Sequence, residues 1–79
     1  MQLLKYQDIN NFYHLKTKEF SIYFSYETLI GFMVDGALYV RKNTFSRSTG
    51  KHVGLLQPEK KLHLEPEKFE ELYEKLVGL

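Results

Sequence analysis

The chain contains no cysteine, and this absence removes several kinds of site at once. Disulfide bonds, thiolate-bound zinc and a cysteine nucleophile are all excluded. Long apolar runs are also missing, since no stretch approaches the roughly 18 residues that a membrane-spanning helix needs. The segment Met1–Lys5 lacks the basic start and the apolar core of a signal peptide. We therefore expect a cytoplasmic protein with no membrane contact.

The 79 residues allow one domain, and we assign residues 1–79 to it. A chain of this size buries only about 60% of the surface that it exposes when unfolded, so its core is thin. Six Phe and six Tyr side chains supply apolar bulk in place of disulfides or a structural metal. The aromatic content therefore predicts a small folded domain built around aromatic packing.

The net charge of the whole chain is small, but basic and acidic residues are concentrated in different segments. Eleven basic and ten acidic residues give a net charge of +1, so no global field draws the chain to a polyanion. Residues 41–61 nevertheless hold six basic side chains and one acidic side chain, whereas residues 65–75 hold five Glu and two Lys. Two interpretations follow: the segments neutralise each other across the folded surface, or the first forms a functional basic patch.

Three β-strands are predicted in the middle of the chain. Glu19–Tyr26 alternates with period two, and Thr28–Val34 is an almost unbroken apolar run. Asp35-Gly36 before the β-rich residues 37–42 is a strong hairpin signal, because both turn positions need positive φ. Glu27 is expected in the turn between the first two strands. One face of the first strand should carry Phe20, Ile22, Phe24 and Tyr26.

The N-terminal part of the chain allows two interpretations. Asn11–Lys16 alternates weakly and can form a fourth strand. Alternatively, Gln7–Tyr13 can begin a short helix that Asp8 caps. We favour the strand, and hence a sheet of three to four strands.

The C-terminal segment has the pattern of an amphipathic helix. Pro66 suits the first turn, where its missing N–H costs nothing. An apolar stripe at helical spacing follows and needs a sheet face to cover. Its members are Phe69, Leu72, Tyr73, Leu76 and Val77. Gly78 is expected to end the helix.

The intervening residues 43–60 are too many for a bare loop in so small a domain. Ser46 can cap a turn or two of helix over Arg47–Val53, which Gly54 would end. Residues 61–64 can add a short strand. The sequence thus predicts an α+β fold: a small antiparallel meander packed by one C-terminal helix, with a short helical turn in residues 46–53.

No catalytic or cofactor motif is complete. Ser48–Lys51 resembles a phosphate-binding loop, but Phe45 replaces its first glycine and His52 follows the lysine. None of the three histidines is paired with another at helical metal-binding spacing, and no carboxylate cluster accompanies them. We therefore expect a protein that is not an enzyme and binds neither a metal nor a cofactor.

The segment Arg41–His52 combines basic, hydroxyl and aromatic side chains. Such groups contact phosphates and acidic protein surfaces. The candidate binding residues are Arg41, Phe45, Arg47, Lys51 and His52. The alternative is a solvated connection in which Ser46 caps and Phe45 anchors. Tyr23 and Tyr39 would add stacking platforms for nucleic acid if their sheet face were open.

Three runs resemble a small domain family of phage and prophage genomes. They are Ser25–Ile30, Leu38–Asn43 and Ser46–His52, with the patterns SYxT, LYVRxN and STGKH. The resemblance covers residues 20–54. Two positions depart from it: Phe45 stands where Trp is more usual, and Ser48 where Thr is frequent.

The resemblance implies a short phage-encoded accessory protein, and no catalytic residue carries over from the family. Such proteins commonly bind a host machine, defence nucleases included, and block or redirect it. The expected partner is therefore a host protein in the host cytoplasm. Direct nucleic-acid binding through the basic segment is the alternative, and a homodimer is left open.

Overall fold

The structure, a computed structural model, describes residues 2–78 and contains one antiparallel five-stranded sheet. The strands follow chain order across the sheet: β1 (Gln2–Lys5), β2 (Phe12–Lys16), β3 (Phe20–Ser25), β4 (Thr28–Val34) and β5 (Ala37–Val40). The predicted α+β meander is confirmed, with one strand more than the three to four expected. The extra strand is β1, whose four residues are too few to show a period in the sequence.

The N-terminal alternative is decided in favour of the strand. Phe12–Lys16 pairs with both β1 and β3, as the weak alternation predicted. Helical geometry before it is limited to a three-residue 3-10 turn at Tyr6–Asp8.

Two tight turns set the register of the central strands. Asp35 and Gly36 both have positive φ, at 51° and 78°, as the hairpin prediction requires. Tyr26 and Glu27 form the turn between β3 and β4. Tyr26 was predicted on the apolar face of β3, and this is wrong. The strand ends at Ser25, and Tyr26 has a φ of 58° and is about half exposed.

The two helices cover opposite faces of the sheet: α1 (Arg47–Leu56) and α2 (Pro66–Leu76). Val53 and Leu56 of α1 pack with Tyr23 of β3, whereas Phe69 of α2 packs with the neighbouring residue Ile22. Because successive strand residues point to opposite faces, the helices lie on different sides. Neither helix has the length and apolarity needed to cross a membrane.

The length of α1 corrects the prediction of a short helical turn in residues 46–53. Gly54 does not end the helix, which continues to Leu56. Glycine costs about 1 kcal/mol relative to alanine inside a helix. Burial of Val53 and Leu56 against the sheet offsets this cost, because packing of an apolar face supplies most helix stability in proteins.

The C-terminal helix follows its predicted stripe. Pro66 stands in the first turn, Phe69 is 1% exposed, and Gly78 after the helix has a φ of 74°. Leu76 is the exception, since it is 38% exposed. In place of the predicted strand at residues 61–64 there is a 3-10 turn, Lys60–Leu62, and a single bridge from Leu64 to Arg41.

Candidate binding site

A buried network of hydroxyl groups and one imidazole joins β3 to α1. Ser25 Oγ lies 2.6 Å from His52 Nδ1 and 3.0 Å from Thr49 Oγ1. Ser46 Oγ continues the chain at 3.2 Å from Thr49 Oγ1. Ser25, Thr49 and His52 are all buried. A serine hydroxyl has one proton and two lone pairs, so Ser25 can serve both partners.

His52 is therefore not an exposed contact, and its place among the predicted binding residues is corrected. Its ring is 6% exposed and stacks on Phe12, with centroids 4.6 Å apart and planes 15° apart. Burial lowers its pKa below the ordinary value of 6.5, because the charged ring would lose hydration. His52 is buried because it lies on the side of α1 that faces the sheet. The buried residues of α1 are Thr49, His52, Val53 and Leu56, which follow helical spacing.

The Ser25–His52 pair has the atoms of a nucleophile and its general base, but a substrate has no access to them. Ser25 is 0% exposed, so no substrate reaches its hydroxyl. A general base must lie within reach of a proton on a bound substrate, or of one relayed through water. The pair therefore serves as an anchor between helix and sheet.

The segment that enters α1 is shaped by two more polar residues. Asn43 Nδ2 donates to the Ser46 carbonyl at 3.1 Å, and the Phe45 N–H donates to Asn43 Oδ1 at 3.0 Å. The Thr49 N–H donates to Ser46 Oγ at 3.2 Å, which confirms Ser46 as the N-cap. These bonds order the segment that precedes α1 and cap the first turn of the helix.

A cleft of about 570 Å³ is bounded by α1, the segment before it and residues 58–63. Its cationic lining consists of Lys42, Arg47, Lys51 and Lys60. The ring of His63 also lines the cleft. The lining that the structure describes contains no Asp or Glu. Gly50, Gly54 and Pro58 also line it. The arrangement suits an anionic ligand, because Arg47, Lys51 and Lys60 line one concavity and none of them forms an ion pair with a described residue.

Arg41 and Phe45 form a separate pair in the segment that enters α1. The guanidinium carbon of Arg41 lies 4.5 Å from the centre of the Phe45 ring, a cation–π contact. Arg41 Nη1 also donates to Thr44 Oγ1 at 3.2 Å. Phe45 is 51% exposed, so it does not anchor the connection in the core. Of the five predicted binding residues, Arg47 and Lys51 share the cleft, whereas Arg41 and Phe45 pair outside its lining.

The acidic helix α2 lies on the opposite face of the sheet from α1. Glu67, Glu70, Glu71 and Glu74 are exposed on α2. Among residues 2–78 one ion pair links the basic and acidic segments, between Lys42 Nζ and Glu65 Oε1 at 3.3 Å. Because both partners are exposed, this pair contributes little to stability. Among the described residues, the other charges of the two segments do not pair with each other.

Both predicted stacking tyrosines pack against other side chains. Tyr23 is 7% exposed beneath α1, and burial raises its pKa. Tyr39 stacks on Phe32 on the α2 side, with centroids 4.9 Å apart. The ring of Tyr23 is therefore closed to a nucleic-acid base, and that of Tyr39 is partly exposed.

The sequence model of DUF8033, a family of unknown function, matches residues 2–71. The chain belongs to DUF8033. No curated protein and no solved structure matches it. The DUF8033 description assigns no activity, so the chemistry of the cleft has to be argued from this chain.

In this DUF8033 chain, the sequence pattern did not predict that Lys42 and Lys60 line the cleft together with Arg47 and Lys51. It also did not predict that Thr49 is buried and bonded to Ser25. Lys42 and Lys60 are far apart in sequence, and only the fold brings them to one concavity. A signal for the network was present, because Ser46, Thr49 and His52 recur every three residues. On a helix such residues fall on one side.

Proposed function

We propose that this chain is a phage-type accessory protein without catalytic activity. It binds a host protein, in the manner of a host-takeover or anti-defence inhibitor, through the cleft beside α1. The observation that carries the proposal is the cationic lining of the cleft without a carboxylate. Like charges that face one concavity repel each other, and an acidic surface of a partner would relieve that repulsion. The phage character rests on the resemblance in residues 20–54.

Three features favour a protein partner over nucleic acid. Of the two predicted stacking tyrosines, Tyr23 is buried and Tyr39 packs on Phe32, which reduces the surface that they offer to a base. The exposed glutamates of α2 and the net charge of +1 disfavour a polyanion. The exposed Phe45 and the half-buried Arg41 that it contacts supply the two residue classes, aromatic and arginine, that are enriched at protein interfaces.

A capture experiment with matched variants tests the proposal. Immobilised protein is exposed to nuclease-treated bacterial lysate, and retained proteins are identified by mass spectrometry. The test variant is R47E/K51E. The control is K16E/K18E, which makes the same change of net charge at exposed lysines outside the cleft. We expect a protein that the wild type and the control retain and the test variant loses. Equal retention by all three proteins would contradict the proposal.

The nucleic-acid alternative is tested on the same proteins. Fluorescence anisotropy is measured with labelled single-stranded DNA, duplex DNA and RNA over a salt series. We expect no binding tighter than the weak, salt-sensitive attraction of any basic patch. Micromolar binding that R47E/K51E abolishes, and that weakens steeply with salt, would assign the cleft to nucleic acid instead.

A further inference from the structure

Gly54 is a glycine inside a helix for which the folded chain gives no reason. A Cβ atom added there would meet nothing within 4 Å, and its φ is not among the positive ones. The contrast is Gly50, where an added Cβ would lie 2.8 Å from Asn43 Nδ2. Glycine costs about 1 kcal/mol relative to alanine at such a position. Packing elsewhere in α1 offsets that cost, but no contact or backbone angle at position 54 requires a glycine, and this points to a functional demand.

The location of Gly54 shows what that demand is. It lines the cleft together with Arg47 and Lys51, and residues 47, 51 and 54 follow the spacing of one helix face. The missing side chain leaves the helix backbone open on that face, one turn beyond Lys51. Glycine is the residue that permits close approach of another backbone.

We infer that the cleft binds an extended acidic segment of the partner protein, with the main chain of that segment over Gly54. This inference rests on the proposed function. Carboxylates of the segment pair with Arg47 and Lys51, and an arginine can hold a carboxylate through two parallel hydrogen bonds. A cleft of about 570 Å³ lies within the range typical of ligand pockets, so it admits a few residues. Pro58 offers an apolar contact for the stems of the glutamates.

The inference is tested by NMR titration of 15N-labelled protein with two end-capped octapeptides. One alternates Glu and Gly, and the other alternates Gln and Gly. A thymidine oligonucleotide with the same number of charges is the third probe. We expect the Glu peptide to shift the amides of residues 47–54 and to bind about tenfold more tightly than the Gln peptide, a difference of about 1.4 kcal/mol. It should also bind more tightly than the oligonucleotide.

The decisive variant is G54Q, with S48Q as its control. Both add the same side chain to α1, but Ser48 is exposed outside the cleft lining. Glutamine favours the helix more than glycine does, so G54Q should fold. We expect G54Q to weaken binding of the Glu peptide about tenfold or more and S48Q to leave it unchanged. Unchanged binding to G54Q, equal binding of the two peptides, or tighter binding of the oligonucleotide would overturn the inference.

Adding G54Q to the lysate capture separates this inference from the proposed function. A host protein that G54Q still retains and R47E/K51E loses would leave the proposed function standing and refute the place of Gly54. Loss with both variants would support the two together. Failure of the wild type to retain any protein would refute the proposed function itself, whatever the peptides do.

Discussion

Ser25 Oγ and His52 Nδ1 meet at 2.6 Å across 27 residues of sequence, in the interior between β3 and α1. Thr49 joins the same hydroxyl from the neighbouring turn of the helix. The bonds hold one side of α1 to the sheet, so Arg47 and Lys51 on another side line the cleft. Of the residues predicted to contact a ligand, His52 instead anchors the helix to the sheet, whereas Arg47 and Lys51 line the cleft.

Removing the central hydroxyl should destabilise the fold. S25A deletes the partner of both His52 and Thr49 and leaves a buried ring nitrogen without its hydrogen bond. An unsatisfied buried polar group costs about 1–3 kcal/mol, and we expect S25A to lower the free energy of unfolding by that amount. Urea unfolding followed by circular dichroism measures it.

The matched control is S48A, because Ser48 is exposed on the same helix. Its free energy of unfolding should change by no more than about 0.5 kcal/mol. A double-mutant cycle of S25A with H52A should give a coupling energy of about 0.5–3 kcal/mol, as for residues in one network. A coupling energy of zero would show that the two side chains do not depend on each other.

Acidification should destabilise the protein through His52. Burial holds its pKa in the folded state below 6.5, the ordinary value. As the pH falls through that value, the unfolded chain binds a proton that the folded chain excludes, so stability is lost towards acid pH. Urea unfolding at about pH 7.5 and pH 5.5 should show a larger loss for the wild type than for H52Q. Equal losses would contradict this role, because the other histidines are present in both proteins.

The sequence predicted the parts of the fold that depend on local pattern. The Asp35-Gly36 hairpin, the Ser46 cap and the stripe of α2 each follow from a rule that acts within a few residues. The end of α1 was misplaced because Gly54 is a local stop signal and the burial of Leu56 against a distant strand is not local. At this end of α1 the low helix propensity of Gly54 and the burial of Leu56 favoured different boundaries, and tertiary packing determined where the helix ends.

The candidate site was predicted in part for the same reason. Arg47 and Lys51 were identified by charge, and they do share a surface. His52 was misassigned because charge and composition do not say which side of a helix faces the core. The contribution of Lys60 depends on the return of the chain past α1, which no pattern within residues 41–52 encodes.

Phe45 should matter for binding and little for stability. Its ring is 51% exposed and its contact with the Arg41 guanidinium is a surface cation–π pair, worth about 0.5–1 kcal/mol. We expect F45A to lower the free energy of unfolding by no more than about 1 kcal/mol. Retention of the host protein should fall about tenfold or more if Phe45 is an interface anchor. Undiminished retention by folded F45A would remove Phe45 from the proposed interface.

The two glycines of α1 should respond to alanine in opposite ways. Alanine at Gly54 enters open space, and we expect G54A to raise the free energy of unfolding by about 0.5–1 kcal/mol. Alanine at Gly50 meets Asn43 Nδ2 at 2.8 Å. Hydrogen bonds from Asn43 to Ser46 and from Phe45 hold that side chain in place.

Displacing Asn43 would break two bonds worth about 1 kcal/mol each, which outweighs the helix gain from alanine. We therefore expect G50A to be less stable than the wild type, whereas G54A is more stable. In an N43A background G50A should be stabilising, because the Asn43 side chain and its two hydrogen bonds are already absent. Thermal and urea unfolding of the wild type, G50A, G54A, N43A and N43A/G50A measures both effects. If G50A stabilised the wild-type chain as much as G54A does, Asn43 would not be held against Gly50 in solution.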